Sequence, residues 1–199
     1  MGELLQKDEV IISDILTASS DLFRRYGFKK TTMEDIARRI GKGKSSLYYY
    51  YSSKDEIFEA VVKQEMNEFC RQIQLSISEA FTAKQKLVAY CKARFYKLSH
   101  LRNLSEVLKS EIVEIQGMLE PIKRKIDTYQ VEFVKKIIAE GVLNGEFKKI
   151  NRENIELFSY LIVSSFRGLE LPLVLDRKCP HLDQQIDSIV DIMVEGIGR

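Results

Sequence analysis

The chain has 199 residues, 45% of them hydrophobic and 30% charged, with a net charge of +2, as expected of a soluble globular protein with one or two domains. No apolar stretch approaches the ~20 residues of a membrane-spanning helix and the amino terminus lacks a signal-peptide pattern, so we expect a cytoplasmic protein without a membrane partner. Cys70, Cys91 and Cys179 are far apart and lack Cys-x-x-Cys spacing, which favours reduced thiols over a disulfide framework or a zinc site.

The first predicted helix carries a broad apolar stripe. Ile11, Ile15, Leu22 and Tyr26 recur in it at helical spacing. Gly27 follows at once, and glycine tolerates the left-handed backbone that commonly ends a helix. The pattern therefore predicts a helix that ends at Gly27.

Two short helices separated by glycines are predicted next. Thr32 starts the first of them, with Asp35 placed three residues later as in a capping box. The apolar residues of this helix are Met33, Ile36, Ala37 and Ile40. Gly41-Lys42-Gly43 interrupts the pattern, and a second segment runs from Lys44 to Tyr51. These lengths are typical of a helix-turn-helix.

Positive charge is concentrated in this part of the chain. Between Asp21 and Asp55 there are nine basic and four acidic residues, a net charge of +5, so the remainder sums to −3. A local basic field attracts a polyanion such as DNA, although a charge run by itself is more often a solvated face. The basic residues are Arg24, Arg25, Lys29, Lys30, Arg38, Arg39, Lys42, Lys44 and Lys54.

The rest of the chain shows only helical periodicity. A further helix begins at Ser53, which is spaced from Glu56 as in a capping box. Pro121 suits the first turn of a helix, where its missing N–H costs nothing, and Gly145 marks a loop. The pattern predicts an all-α protein with further helices near 83–101, 104–116, 119–143, 152–175 and 182–197.

DNA reading places two demands on the second helix of the motif. One side must pack on the first helix, and the other must be able to enter the major groove with its amino-terminal end first. Leu47 and Tyr51 are spaced to face inward. Lys54 adds charge at the start of the next helix, whose amino terminus itself attracts phosphate. The outward residues are then Lys44, Ser45, Ser46 and Tyr49.

The segment from Tyr26 to Val61 resembles the DNA-binding domain of the TetR (tetracycline-repressor-like) family of transcriptional regulators. The shared features are a Tyr-Gly pair, a threonine that starts the second helix, an Ile-Ala pair, a glycine turn, an aromatic recognition helix and a Ser-Lys stretch. In this chain they are Tyr26-Gly27, Thr32, Ile36-Ala37, Gly41, Leu47-Tyr48-Tyr49-Tyr50-Tyr51 and Ser53-Lys54 with Ile57-Phe58.

The resemblance implies a homodimeric, sequence-specific DNA-binding regulator, often a repressor that a small-molecule effector releases from its operator. It implies a three-helix DNA-binding domain over residues 1–53, a helical ligand-binding and dimerisation domain over residues 54–199, and no cofactor. The expected phosphate contacts come from Thr32, Lys42, Lys44, Lys54 and the Gly43 N–H. The expected base contacts come from Ser45, Ser46 and Tyr49, while Tyr48 lies against the DNA backbone.

Three positions depart from the family pattern. Lys42 replaces the usual apolar residue after the turn glycine, Gly43 replaces the usual serine, and Tyr49 replaces a common histidine. Gly43 removes a side-chain phosphate contact, which Lys42 is placed to replace. Because Tyr49 replaces that histidine, the resemblance does not predict which bases the protein prefers.

In the family, the last two helices form the dimer interface. Candidates here are Phe158, Ile162, Ser165, Leu169, Ile186, Ile189, Val190 and Met193. Periodicity alone cannot separate an interface from the core of the same domain, so both readings stay open.

The C-terminal helices also carry aromatic side chains with a few polar groups, which suit a mostly apolar ligand. Candidates are Phe69, Tyr90, Phe95, Tyr129, Phe133, Phe166 and Arg167. Each is alternatively a core residue, and Arg167, if buried, would pair with an anionic ligand.

Other functions fit the sequence less well. Gly43-Lys44-Ser45 is similar to the end of a P-loop, but Arg38 stands where that motif needs glycine. His100 and His181 are too few for a metal or catalytic site, and no hydrolase, zincin or Rossmann motif is present, so we expect no enzyme and no metal. The alternative is an architectural DNA-binding protein, which would lack a ligand cavity.

Overall fold

The computed structural model describes residues 2–102, 106–175 and 182–198, and the secondary structure within them is entirely helical. This confirms the all-α prediction. Cys179, His181 and the side chain of His100 lie outside the described residues. The helices are α1 (Gly2–Tyr26), α2 (Met33–Arg39), α3 (Lys44–Tyr50), α4 (Lys54–Ser78), α5 (Ala83–Arg102), α6 (Glu106–Leu143), α7 (Ile155–Leu175) and α8 (Leu182–Gly198).

The chain forms two compact units. The first unit consists of Met1–Asn67 with Leu104–Ile122, and the second consists of Glu68–Asn103 with Lys123–Arg199. Both α4 and α6 therefore contribute residues to each unit. The first half of α4 belongs to the first unit because its apolar side chains, including Phe58, are buried in that unit's core.

The core of the first unit is built from α1, α2, α3 and the start of α4. The rings of Phe23, Phe28 and Phe58 meet with centroids 4.8, 5.4 and 5.7 Å apart, in the tilted and edge-on arrangements that aromatic pairs favour. Around them, four aliphatic side chains, one from each helix, are completely buried. They are Ile15, Ile36, Leu47 and Ile57.

In the second unit, α5 packs against both α7 and α8. The start of α5 is held by Glu146, whose carboxylate accepts hydrogen bonds from the backbone N–H groups of Lys84 at 2.9 Å and Ala83 at 3.2 Å. These bonds lower the pKa of Glu146. Glu146 follows Gly145, whose φ of +72° makes the turn after α6, as the sequence predicted.

The prediction of two helices near 104–116 and 119–143 is wrong. α6 runs from Glu106 to Leu143 with Pro121 inside it. An internal proline removes one backbone hydrogen bond, here the one to the carbonyl oxygen of Gly117. Gly117 is exposed, so water can bind that oxygen instead. The lost bond therefore does not end the helix.

Within the described ranges, no helix combines the length and the apolar character needed to cross a membrane. In the same residues, His, Cys, Asp and Glu side chains do not gather in groups of three that would hold a metal ion. Cys70 is half-buried and Cys91 is buried, and neither forms a disulfide bond within the described residues. Burial raises the pKa of Cys91 to about 12, so this thiol stays protonated at neutral pH.

Candidate nucleic-acid interface

The amino terminus of α2 is held by the predicted capping box. The Thr32 hydroxyl accepts a hydrogen bond from the Asp35 N–H at 3.2 Å and donates to the Asp35 carboxylate at 2.6 Å. The Thr32 N–H donates to the same carboxylate at 3.0 Å. These bonds lower the pKa of Asp35. Because the hydroxyl proton is already engaged, a phosphate contact from Thr32 requires an exchange of the bond to Asp35.

The turn between α2 and α3 depends on Gly41. Its φ is +66°, a conformation that strains any residue with a side chain. The Lys42 N–H donates to the Ala37 carbonyl at 2.9 Å, which closes the end of α2. Gly43 then caps α3 with extended backbone and gives no side-chain hydrogen bond. The chain therefore reverses in three residues, and α3 starts in an exposed position.

One face of α3 anchors it to the first unit. Leu47 is 0% exposed. The Tyr50 hydroxyl donates a hydrogen bond to the Asp8 carboxylate of α1 at 2.8 Å, and this bond raises the pKa of Tyr50. Tyr51 is partly buried, and burial raises its pKa. Leu47 and Tyr51 thus face inward as the sequence predicted, while the anchor between Tyr50 and Asp8 was not foreseen.

The opposite face of α3 is open to solvent. Ser45 is exposed and Ser46 half-buried. Tyr48 and Tyr49 are 45% and 78% exposed, which is high for aromatic side chains. The Tyr49 ring meets the Tyr50 ring edge-on at 4.9 Å. The side chains predicted to reach base edges are therefore accessible from outside the protein.

Lys44, predicted to bind phosphate, has a partner within the protein. Its ammonium group forms an ion pair with Glu34 of α2 and lies 5.7 Å from the centroid of the Tyr48 ring. This ion pair lowers the pKa of Glu34 and raises that of Lys44. A phosphate contact from Lys44 would therefore require that this ion pair be broken. The partners are ten residues apart in sequence, so no local pattern indicated the pair.

Lys42 and Lys54 differ in the contacts that they make within the protein. Lys54 donates to the Phe28 carbonyl at 2.7 Å and lies 4.3 Å from the centroid of the Phe28 ring, so it holds the loop between α1 and α2. Lys42 is exposed and forms no ion pair with the residues the structure describes. Among the described residues, Lys42 thus has no ion-pair partner, whereas Lys54 has a structural role.

The aromatic ligand candidates are mostly core residues of the second unit. Phe69, Tyr90, Phe95 and Phe166 are at most 8% exposed, and Phe133 packs against them. Tyr129 is 46% exposed. Arg167 was expected to pair with an anionic ligand only if its side chain were buried. It is only partly buried, and it forms an ion pair with Asp127 at 3.0 Å.

Two buried polar residues of this unit escaped the sequence analysis. Arg94 is 4% exposed, and its guanidinium carbon lies 5.6 and 5.5 Å from the ring centroids of Phe69 and Phe166. Gln130 is 2% exposed and accepts a hydrogen bond from the Tyr90 hydroxyl at 2.9 Å. Arginine and glutamine are ordinarily surface residues, so sequence gives no signal for their burial.

The dimer candidates divide between the core and the surface. Ile162 and Val190 are buried in the second unit, and Phe158, Ile186, Ile189 and Met193 pack partly against its core. Ser165 is exposed and Leu169 is 38% exposed. Other apolar side chains of α7 and α8, outside this set of dimer candidates, are more exposed. They are Leu157, Tyr160, Leu161 and Ile192, at 49% to 71%.

A groove of about 340 Å³ lies between α5, α7 and α8. Phe158, Ile162, Ser165 and Met193, four of the dimer candidates, line it. Its wall is mainly apolar, and Lys149 supplies a charge at its edge. The groove therefore belongs to the same face as the candidate interface.

Comparison with known proteins covers almost the whole chain. Residues 15–61 match the family description of bacterial regulatory proteins of the tetR family. Residues 62–196 match the description of the C-terminal region of YsiA-like proteins. The chain belongs to the TetR family. The TetR match includes α2, the turn at Gly41 and α3, the elements that form the exposed face described above.

Individual relatives agree with this assignment. The HTH-type transcriptional regulator YvaF of Bacillus subtilis is 30% identical over 190 residues, which cover 92% of this chain and 93% of YvaF. The fatty acid metabolism regulator protein of the same organism is 23% identical over 183 residues, 92% and 93% of the two chains. The crystal structure of a transcriptional regulator from Cytophaga hutchinsonii has a TM-score of 0.72 and 31% identity, and covers 93% of this chain and 97% of that one.

The protein is therefore a DNA-binding transcriptional regulator of the TetR family, as the resemblance of Tyr26 to Val61 predicted. Regulators of this family bind operator DNA, act as dimers and respond to small-molecule effectors, and repression that an effector relieves is typical of them.

Proposed function

We propose that the protein binds operator DNA as a homodimer, with α3 of each protomer entering the major groove by its amino-terminal end. The exposure of Ser45 and Tyr49 on the side of α3 opposite the buried Leu47 carries this proposal. Two α3 helices must then lie roughly 34–36 Å apart, one turn of DNA, or wider on longer operators.

The DNA contacts divide by chemistry, and residues 1–53 supply nearly all of them. Hydroxyl groups of Ser45, Ser46 and Tyr49 meet base edges, because they can donate and accept hydrogen bonds. Tyr48 lies against the sugar-phosphate backbone. Phosphates are held by Thr32, Lys42, Lys44 and Lys54 and by the Gly43 N–H.

Dimerisation uses the exposed apolar face of α7 and α8. Leu161 and Ile192 on this face are 49% and 71% exposed, and burial of such side chains against a second copy is favourable. Ser165 and Gly168 are small and exposed, which allows a helix of the partner to approach closely.

The effector is a mostly apolar small molecule that binds within residues 54–199. The name of the related fatty acid metabolism regulator supports a ligand derived from fatty acids. α4 runs from Lys54 to Ser78 and so belongs to both units. Ligand favours a packing in which α4 tilts and the spacing of the two α3 helices no longer fits DNA. By linkage, operator DNA weakens ligand binding by the same factor.

This function requires binding equilibria and no chemical step, so the protein acts as a regulator rather than as an enzyme, and in the cytoplasm, where operator DNA is found. An architectural DNA-binding protein would keep the same DNA affinity with every metabolite pool. A fall in affinity with one pool therefore separates the two functions.

Selection of binding sites from random duplexes tests the recognition helix. Wild-type protein is expected to enrich one sequence, and Ser46→Ala and Tyr49→Ala are expected to relax the preference at separate base pairs, by about 1–3 kcal/mol each. Equal affinity for all duplexes at low ionic strength would contradict the proposed function. An unchanged preference in both variants would show that α3 does not read bases.

The salt dependence of operator binding tests the phosphate contacts. Lys42→Ala is expected to reduce the slope of log affinity against log salt by about 0.9 and to weaken binding equally on all sequences. Its melting temperature should equal that of the wild type, because Lys42 makes no ion pair with the described residues.

Lys54→Ala is the matched comparison. It should reduce the same slope and also lower the melting temperature, because it removes the hydrogen bond to the Phe28 carbonyl. Wild-type slopes in both variants would show that neither side chain meets a phosphate.

A further inference from the structure

We propose that the cleft between α4 and α6 binds the polar end of the effector, with the side-chain amide of Gln130 as the hydrogen-bond donor. The ligand class is an apolar molecule that ends in a carbonyl or carboxylate oxygen. This inference rests on the proposed function, because it identifies how the effector of that function is recognised.

The first observation is an unsatisfied buried amide. The Nε2 atom of Gln130 is shielded from solvent and has no hydrogen-bond partner among the described residues. A buried donor without an acceptor costs about 1–3 kcal/mol, and native proteins contain few of them. An acceptor brought by a ligand would remove this cost.

The orientation of the amide follows from Tyr90. Burial raises the pKa of Tyr90, so its hydroxyl keeps its proton, and that proton needs an acceptor. The Oε1 atom of Gln130 is this acceptor, at 2.9 Å. With the oxygen engaged by Tyr90, the amide nitrogen is the atom left without a partner.

The second observation is a cavity beside this amide. Gln130 and Tyr90 line a space of about 10 Å³. A space of roughly this size holds one water molecule or one ligand oxygen. Cys70 and Ile73 of α4 and Phe133 of α6 line it too, so the wall around the polar atoms is largely apolar. The space thus fits the oxygen of a molecule that is otherwise hydrocarbon.

The third observation is a polar contact at the surface end of the cavity. Gln74 of α4 and Tyr129 of α6 also line it, and both are exposed, whereas Tyr90 and Gln130 are buried. The Gln74 amide nitrogen donates a hydrogen bond to the Tyr129 hydroxyl at 2.5 Å. Because these groups are exposed, water replaces the bond at little cost. The cleft can therefore open from the surface towards Gln130.

The charge around the cavity selects the ligand. The Arg94 guanidinium lowers the Tyr90 pKa against the effect of burial, and this contribution is larger than the opposing one of the Asp127 carboxylate, so the charges near Tyr90 are positive on balance. A positive field favours an electron-rich oxygen and disfavours an amine. The rings of Phe69 and Phe166 on either side of Arg94 surround this charge with apolar surface.

Ligand in this cleft would act on α4 directly. Cys70, Ile73 and Gln74 lie on α4, and a hydrocarbon chain inserted beside them must move α4 away from α6, because packed interiors have little free volume. α4 continues without a break from Lys54 of the first unit. A ligand at the proposed site would therefore act on α4, the helix that tilts in the proposed function.

Isothermal titration calorimetry with three probes that share a twelve-carbon tail tests the ligand class. The purified full-length protein is titrated with dodecanoate, methyl dodecanoate and dodecyltrimethylammonium, each below its micelle concentration. Dodecanoate is expected to bind, and the cation, which has no acceptor, is expected not to bind. Tighter binding of dodecanoate than of its ester assigns a carboxylate, and equal binding assigns a neutral carbonyl. Binding of the cation as tight as that of dodecanoate, or no binding of any probe, would overturn the proposal.

Variants test the role of Gln130. Gln130→Met is expected to weaken dodecanoate binding about tenfold or more, the effect of losing one hydrogen bond to a charged group. That variant leaves the Tyr90 hydroxyl without its acceptor, so the double variant Tyr90→Phe/Gln130→Met removes both polar partners. The double variant is expected to keep the wild-type melting temperature and to bind dodecanoate as weakly as the single variant.

Gln72→Met is the matched control on the same helix. Gln72 is exposed and is not among the residues that line the cavity, so this variant should keep the wild-type affinity for dodecanoate. Wild-type affinity in the double variant would overturn the proposal, even if that protein still binds its operator. Failure of the wild type to prefer any duplex would instead contradict the proposed function and leave the calorimetric result intact.

Discussion

Leu47→Ala is expected to weaken operator binding roughly a hundredfold, which corresponds to about 2.7 kcal/mol and lies within the range for truncation of a buried leucine. Leu47 is the buried residue of α3, and α3 has only seven residues. A helix this short does not persist without tertiary packing. Removing the anchor therefore releases the element that reads DNA. The measurement is fluorescence anisotropy with the duplex obtained by site selection.

Leu87→Ala is the matched control for this prediction. Leu87 is 1% exposed and lies in the core of the second unit. Its truncation should lower the free energy of unfolding by a similar amount, about 2–5 kcal/mol, without a direct effect on α3. Urea unfolding compares the stabilities of the two variants. If both variants bound the operator equally well, the anchoring role assigned to Leu47 would be wrong.

Gly141→Ala is expected to destabilise the second unit, although alanine is the better helix former. A Cβ atom at position 141 would lie 2.3 Å from two ring carbons of Phe147 and 3.0 Å from the Cβ of Ala83. Phe147 is 1% exposed, so its ring has little room to move. Overpacking of this kind costs about 1–3 kcal/mol, or more where nothing can yield. A fall in melting temperature of roughly 2–10 °C, measured by circular dichroism, is the expected result.

Two further variants test whether the clash with Phe147 causes the destabilisation. Gly117 lies on the same helix, and no atom is within 4 Å of a Cβ placed there. Gly117→Ala should therefore raise the melting temperature, since alanine gains up to about 1 kcal/mol over glycine within a helix. Adding Phe147→Leu to Gly141→Ala should recover part of the loss, because it removes the clashing ring. A stabilised Gly141→Ala protein would contradict the steric explanation.

Features that depend on a few neighbouring residues were predictable. The bonds between Thr32 and Asp35 at the start of α2 agree with the capping box read from their spacing. Gly27 and Gly41 have φ values of +86° and +66°, as expected of glycines that end helices. At the start of α4, the Glu56 N–H donates to Ser53 as predicted, while the Glu56 carboxylate accepts from Ser52 instead. Local geometry is therefore predictable to within about one residue.

Polar partners that are far apart in the sequence were not predictable. Lys44 pairs with Glu34, and Lys54 binds the carbonyl of Phe28, although both lysines read as free cations in the sequence. The continuation of α6 through Pro121 was not predictable either, because it depends on the exposure of Gly117, whose carbonyl oxygen water can bind in place of the missing hydrogen bond. Each of these depends on what surrounds a residue in space.

By itself, the sequence determined that the protein is helical, where α1 ends, where α2 and α3 begin, and which side of Lys44–Tyr50 faces inward. The reason is that caps and periodicity involve atoms within one or two turns of the same helix. Only the tertiary structure brought Tyr90 and Gln130 together and buried Arg94, because the crossing of helices, and not spacing along the chain, decides which side chains from distant segments meet.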